Sequence, residues 1–338
     1  WMAGGAGMIM YNNSDVDNLA TDSHWVPSVH IDQTPGLAIK AYIAANLAAA
    51  TATIHGGVVD TWPYAPSMTI FSSRGPNPVA SDIIKPDITA PGTQILAGNS
   101  PTPARSWDAY LYPGQLFQAI QGTSMSSPVV AGAFALLKQA HPEWSAAMAK
   151  SAIMTTAYQD VRDNDRMSMA DPFDMGAGHL NPGGEWSKGS IDEPGLAYDA
   201  GFFDYLGFLC DAFPDVISAG TCAFLESIEV PTQAYNLNYP SIGIGDLPGS
   251  QTVMRTVTSV AKENGWRTYN VSVDAPEGYS VTVEPSSFRL KRGDTATYYV
   301  TITNESAPVG EWRFGSLTWH EKDGNYSVRS PIAVRGTL

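Results

Sequence analysis

The chain has 338 residues, 43% of them hydrophobic, with a formal net charge of −14. That length supports more than one domain, and that share of hydrophobic residues excludes a largely disordered chain. So acidic a composition argues against a nucleic-acid partner, which needs a basic face, and no apolar run has the length of a membrane span.

The first residues, Trp1-Met2-Ala3-Gly4-Gly5-Ala6-Gly7, lack the basic region and apolar core of a secretory leader. They read as the interior of a domain, so the chain is expected to be the C-terminal part of a longer precursor. Gly7–Tyr11 is a short apolar run, read as a strand and closed by the turn formers Asn12–Asp15. Val29–Ile31 is a second strand. A helix over Pro35–Leu47 follows, with Thr34 as its N-cap, and Thr51–Ile54 is a third strand.

The texture from about 60 to 200 is α/β. Met68–Phe71 reads as a strand, Ser72–Pro78 as a loop, and Asp87–Gly92 as a strand end and turn. A helix is expected over Ser124–Ala140, with Pro128 tolerated in its first turns. Its small Ala131, Gly132, Ala133 and Ala135 suit close packing inside a core. A second helix begins after Pro142, with Ser145 as N-cap.

A connector follows, carrying both cysteines, Cys210 and Cys222. They read as a disulfide closing a short loop, with two free thiols as the alternative. Two cysteines cannot build a zinc site, and the six histidines show no ligand spacing. From about 245 strand-like runs alternate with turns: Gln251–Val260, Thr268–Val273, Ser280–Val283, Ala296–Thr303, Trp312–Trp319 and Ser327–Val334. This is an all-β sandwich pattern.

The chemistry concentrates at Gly122-Thr123-Ser124-Met125-Ser126-Ser127-Pro128. Ser124 stands at a helix N-terminus, where backbone N–H groups are unpaired and the helix dipole favours negative charge. Acyl transfer needs that arrangement, because charge develops on a carbonyl oxygen beside the nucleophile. A Ser/Thr cluster before a helix is ordinarily only a cap. Here the blocks around it decide for the catalytic reading. They are Phe71–Pro76, Lys85–Gly92, His141–Ser145, Met154–Ala157, Gly176–Pro182, Pro194–Asp199 and Asn238–Ser241.

In this order these blocks resemble the subtilisin-like serine proteases (subtilases), and most of all the cucumisin-like branch familiar from plants. The resemblance implies an α/β fold: the C-terminal half of a parallel-sheet three-layer sandwich over 56–200. Part of a protease-associated domain would precede it over 1–55. A connector over 201–244 and a fibronectin-III-like sandwich over 245–338 would follow.

Ser124 would form the acyl-enzyme and its own N–H would be one oxyanion donor. Gly122 and Thr123 would shape the turn, and the residues up to Gln121 would border the scissile bond. The family's triad runs Asp, His, Ser along the chain. No His-Gly-Thr block occurs here. His24 and His30 fall in the protease-associated region. His55, before Gly56-Gly57, lies only 69 residues upstream of Ser124, too few to hold the insertion.

The Asp, the His and an oxyanion Asn are therefore expected from the N-terminal portion of the same precursor. Arg74 is expected in a structural ion pair, Asp87 as a strand-end residue, His179 in the core and His141 at the end of the nucleophile's helix. The implied activity is secreted serine endopeptidase action on a protein or peptide substrate. No cofactor is implied, and no clear calcium loop occurs. The alternative is a non-catalytic binding module that keeps the subtilase shell. Asn12, Asn270, Asn304 and Asn325 open sequons, candidate glycosylation sites.

Overall fold

The computed structural model describes residues 4–15, 24–59, 65–101, 116–183 and 188–337. Two compact units emerge, one from 1–65, 69–72 and 91–128, the other from 66–68, 73–90 and 129–338.

In the first unit β1 (Met8–Tyr11) pairs in parallel with β2 (Ser28–Ile31), and α1 (Gln33–Asn46) follows. Gly36 lets the helix lie on the strand, since a Cβ there would sit 2.3 Å from Cγ of Tyr11. Thr34 does not cap this helix. Asp32 holds the N-cap position, but its carboxylate accepts from Asn12 Nδ2 at 3.1 Å rather than from the helix backbone. The Asp15 carboxylate instead accepts the Thr34 N–H at 2.8 Å and the Thr34 hydroxyl. A carboxylate on another loop thus satisfies the orphan donor, and these bonds lower its pKa.

The expected strand at Thr51–Ile54 is absent, because no neighbouring backbone pairs with it. Thr51 donates its N–H to the Tyr42 hydroxyl at 3.2 Å instead. The unit closes with β3 (Ile95–Gly98) and β4 (Phe117–Ile120), an antiparallel pair that places Ile95 opposite Ile120.

Helix α2 (Thr123–Ala140) starts in the first unit and continues into the second. It departs from the expectation of an interior helix. Only Ala133 and Leu137, one turn apart, are buried, while Ala131, Gly132, Ala135 and Leu136 are exposed. Residues four apart share a face, so the small residues do not all point one way. Helix α3 (Ala146–Thr155) has the expected cap, Ser145 Oγ accepting from Met148 N at 3.0 Å. Leu137, Ala152 and Ile153 pack at 1% exposure or less with Trp144, Leu180 and Ile191 around them.

Met68–Phe71 forms a turn with a single bridge beside it, Ser67 to Arg162, rather than a strand. A strand persists only where a neighbour offers a continuous ladder, and here one residue does. Thr89 likewise bridges His179 in parallel as an isolated pair. The short α4 (Pro172–Met175) carries a capping box in which Asp171 and Asp174 each accept the other's backbone N–H.

The rest is dominated by a β-sandwich. Its strands begin before residue 245, with β5 (Leu196–Tyr198) and, after helices α5 (Phe202–Ala212) and α6 (Ala219–Ser227), β6 (Ile242–Leu247). The remaining strands are β7 (Ser250–Ser259), β8 (Arg267–Asp274), β9 (Tyr279–Glu284), β10 (Ser287–Leu290), β11 (Thr295–Asn304), β12 (Trp312–Glu321) and β13 (Ser327–Gly336). One sheet runs β10-β8-β12-β13-β6 and the other β5-β7-β11-β9. The expected boundary at 245 therefore moves. β5 and β6 enter because each finds an open sheet edge, at β7 and β13.

Strict alternation builds the core: Tyr298, Val300 and Ile302 of β11 are fully buried, while Thr297 and Tyr299 face out. Tyr198 joins this core to α3. Its N–H donates to Ser151 Oγ at 2.9 Å, and its hydroxyl lies 2.6 Å from that of Tyr298 and 3.0 Å from Ser330 Oγ. Arg255 is buried, with no carboxylate partner among the described residues. It donates to the carbonyls of Tyr235, Tyr239, Ser241 and Met254, and burial pushes its pKa down to about 10.

Candidate active site

Strand β4 leads directly into Gln121, Gly122 and the first turn of α2, a strand–turn–helix that presents Ser124 at the second helical position. Gly122 makes the turn at φ +150, a backbone conformation that side chains resist. Its N–H donates to the Gly92 carbonyl at 2.8 Å and its own carbonyl accepts Met125 N at 2.9 Å. Gly92 must lack a side chain, since a Cβ would meet Ser126 Oγ at 2.1 Å and Gly122 O at 2.9 Å. Gln94 Nε2 donates to Gln121 Oε1 at 3.2 Å and fixes the other side of the turn.

Thr123 and Ser124 are exposed. Among the described residues neither the Ser124 hydroxyl nor its N–H forms a hydrogen bond. An accessible hydroxyl beside an unspent N–H at a positive helix end can attack a carbonyl and hold the oxygen that becomes negative. Pro128, in the second turn of the helix, has no N–H to donate to the Ser124 carbonyl.

None of the histidines is bonded to Ser124 among the described residues. The four with described ring contacts are engaged elsewhere. His30 Nε2 meets Asn12 Oδ1 at 2.7 Å and His320 Nε2 meets Ser272 Oγ at 2.9 Å. The ring of His179 donates from Nδ1 to the Leu180 carbonyl at 2.9 Å, and burial lowers its pKa. His141, at the end of α2, stacks on Trp144 at 3.9 Å and places Nε2 2.9 Å from both oxygens of Asp192, carbonyl and carboxylate. His24 and His55 are exposed.

Arg74 is an ion-pair residue, bound to Asp163 at 2.6 Å and to Asp174. Asp87 lies 2.6 Å from Lys85 Nζ and 2.9 Å from Lys150 Nζ. Burial lowers the pKa of that lysine, which also stands 4.1 Å over the Tyr239 ring. Both are structural residues. Cys210 and Cys222 are disulfide-bonded, with Cα atoms 5.8 Å apart, so the free-thiol alternative falls away. Among the described residues no three His, Cys, Asp or Glu side chains gather as a metal site. Nor is any helix there long and apolar enough to cross a membrane. That Ser126 and Gly92 seat the turn before Ser124 is not expected from the sequence, since the two lie 34 positions apart. The Ala90-Pro91-Gly92 block was their only trace.

A subtilase-family model matches residues 11–178, and a fibronectin type-III domain model matches 236–334. The chain is 38% identical to subtilisin-like protease SBT1.7 of Arabidopsis thaliana, over 99% of this chain and 45% of that protein. To the CO(2)-response secreted protease of the same plant it is 37% identical, over 91% of this chain and 41% of that protein. Subtilisin-like protease SBT5.3 matches at 35%, over 99% and 43%. The chain therefore spans less than half the length of the curated relatives it matches.

Proposed function

Because residues 11–178 belong to the subtilase family and 236–334 to the fibronectin type-III domains, we propose that this chain contributes the nucleophile of a secreted subtilisin-like serine endopeptidase. The observation that carries the reading is Ser124, exposed at the start of α2 with its hydroxyl and N–H both unspent among the described residues. Ser124 Oγ attacks the scissile carbonyl and passes its proton to an imidazole. The Ser124 N–H donates to the oxyanion, a bond worth about 3 kcal/mol in the transition state. The tetrahedral intermediate then collapses: the C–N bond breaks and the amine leaves with the proton that the imidazole returns. Water, giving its proton to the same imidazole, hydrolyses the acyl-enzyme and frees the Ser124 hydroxyl.

The imidazole, its carboxylate and the Asn donor come from residues outside this sequence. The engagement of His30, His141, His179 and His320 supports that assignment, as does the exposed apolar face of α2. That face, Ala131, Gly132, Ala135 and Leu136, is where the remainder of a parallel-sheet catalytic domain would pack. We read 1–55 as part of a protease-associated insertion, since β1, β2 and α1 form a small parallel strand–helix group. The disulfide Cys210–Cys222 and the likeness to a secreted protease, the CO(2)-response secreted protease of Arabidopsis thaliana, support secretion.

The test is fluorophosphonate labelling of the full-length precursor. Stoichiometric label on Ser124, abolished in Ser124→Ala, is the expected result. A folded precursor that takes no label rejects the reading in favour of a binding module.

A further inference from the structure

Far along the chain from Ser124, an open cavity of about 370 Å³ lies between the end of α6 and the outer face of β7 and β11. Its walls include Glu226, Glu229, Gln233, Met254 and Tyr299. Tyr299 stands opposite Met254 in the β11–β7 register and is 49% exposed. We propose that this cavity binds an organic cation, a guanidinium or alkylammonium group, against the Tyr299 ring and between the two glutamates.

The cavity wall is built rather than incidental. Segment 229–236 is held on α5 at two points. Gly207 admits the Pro231 carbonyl where a Cβ would lie 2.2 Å from it, and Asp211 Oδ2 accepts the Ala234 N–H at 2.8 Å. Asn236 Oδ1 ties the same segment to β7 by accepting Met254 N at 2.9 Å. A relay of donors then runs to one carboxylate. Asn236 Nδ2 donates to Gln233 Oε1 at 3.0 Å, Gln233 Nε2 to Thr232 Oγ1 at 3.3 Å, and Thr232 Oγ1 to Glu226 Oε1 at 3.3 Å. Every link points towards Glu226, which orients its carboxylate.

The charge here lacks a counter-ion. Residues 189–254 contain nine Asp or Glu and no Lys, Arg or His. The next cation, Arg255, is 2% exposed and spent on backbone carbonyls. Among the described residues neither Glu226 nor Glu229 forms an ion pair. A cation over a tyrosine face and beside two exposed carboxylates gains from the ring quadrupole and from the two negative charges, each worth a modest amount in contact with solvent. A guanidinium also matches a carboxylate in shape, donating two parallel bonds. An anion finds no donor charge here, and a neutral ligand leaves both carboxylates as they are.

The experiment titrates the full chain, with its methionine methyl groups 13C-labelled, and follows the Met254 methyl resonance, assigned from the Met254→Leu spectrum. Nα-acetyl-argininamide should shift it saturably, and the neutral isostere Nα-acetyl-citrullinamide should not. Glu226→Gln with Glu229→Gln should weaken binding about tenfold, the scale of a lost exposed charge contact pair. Tyr299→Leu should weaken it severalfold.

The other methionine resonances report whether each variant is folded. Glu229→Gln alone, at an exposed position, is the fallback. Tighter binding of a tripeptide with central arginine than of agmatine assigns the cation to a polypeptide. Equal binding assigns it to a free amine. No saturable shift with argininamide, an equal shift with the citrulline analogue, or unchanged affinity in the folded glutamine variants overturns the proposal.

Discussion

The Gly92 carbonyl accepts the Gly122 N–H at 2.8 Å, so two glycines 30 positions apart meet beneath the turn that carries Ser124. Their lack of side chains allows the approach, and Ser126 Oγ fills the space that a Cβ on Gly92 would need. The turn that aims Ser124 therefore depends on a residue far from the helix it starts.

Gly92→Ala should displace Ser126 or the 122 carbonyl and destabilise the chain by about 1–3 kcal/mol, as overpacking does. Fluorophosphonate labelling of Ser124 in the full-length protein should fall more than the melting temperature implies. Unchanged labelling would show that the turn does not need this contact.

Arg255 is the largest single commitment in the sandwich. Its guanidinium supplies four backbone carbonyls from 235 to 254. Arg255→Met leaves those acceptors dry and should cost about 3 kcal/mol or more, read by urea denaturation. Arg255→Lys should recover only part of that loss, because an ammonium cannot span the fork of acceptors.

His179 gives the chain an acid-sensitive element. Burial lowers its pKa below the ordinary 6.5, so the unfolded chain takes up a proton first as pH falls. Stability from this group is complete above pH 6.5 and is lost as pH drops through the folded-state value. Thermal melts from pH 7.5 to 5 should show this decline, and His179→Gln should flatten it. An unaltered slope in the variant assigns the acid sensitivity elsewhere.

The disulfide spans a 12-residue separation, a loop closure worth about 3 kcal/mol in the chain-entropy account. Reduction should loosen α5 and α6 first, since they are the elements it joins. Hydrogen exchange should rise in 202–227 before it rises in β11. Uniform change across both would show that the bond constrains the whole unit.

The four sequons are not equivalent. Asn270 is exposed on β8. The amides of Asn12, Asn304 and Asn325 donate to Asp32, the Ala307 carbonyl and Glu321. A glycan on any of those three takes the nitrogen from its bond. Intact mass after secretory expression should fall by one glycan in Asn270→Gln and stay level in Asn304→Gln and Asn325→Gln.

Several elements were legible because their cause is local. The Ser145 cap, the α2 bounds and the six long strands of the sandwich follow from alternation, helix period and end residues. β10 (Ser287–Leu290) is not expected from the sequence; its antiparallel pairing with β8 is what makes it a strand. Thr34 was misread as a cap because the group that satisfies it, Asp15, lies 19 positions away. Thr51–Ile54 and Met68–Phe71 have strand composition, yet composition does not supply a partner.

What the sequence alone determined is the placement of Ser124 at a helix start, since Gly122-Thr123-Ser124 and the helix behind it are contiguous. Only the tertiary structure decided that this hydroxyl is exposed and unspent, that Gly92 seats the turn, and that β5 and β6 complete the sandwich. Each of those facts is a meeting of distant segments. A hydrogen-bond ladder, a missing Cβ or an unpaired carboxylate takes its meaning from what stands opposite it, and one-dimensional order does not record that.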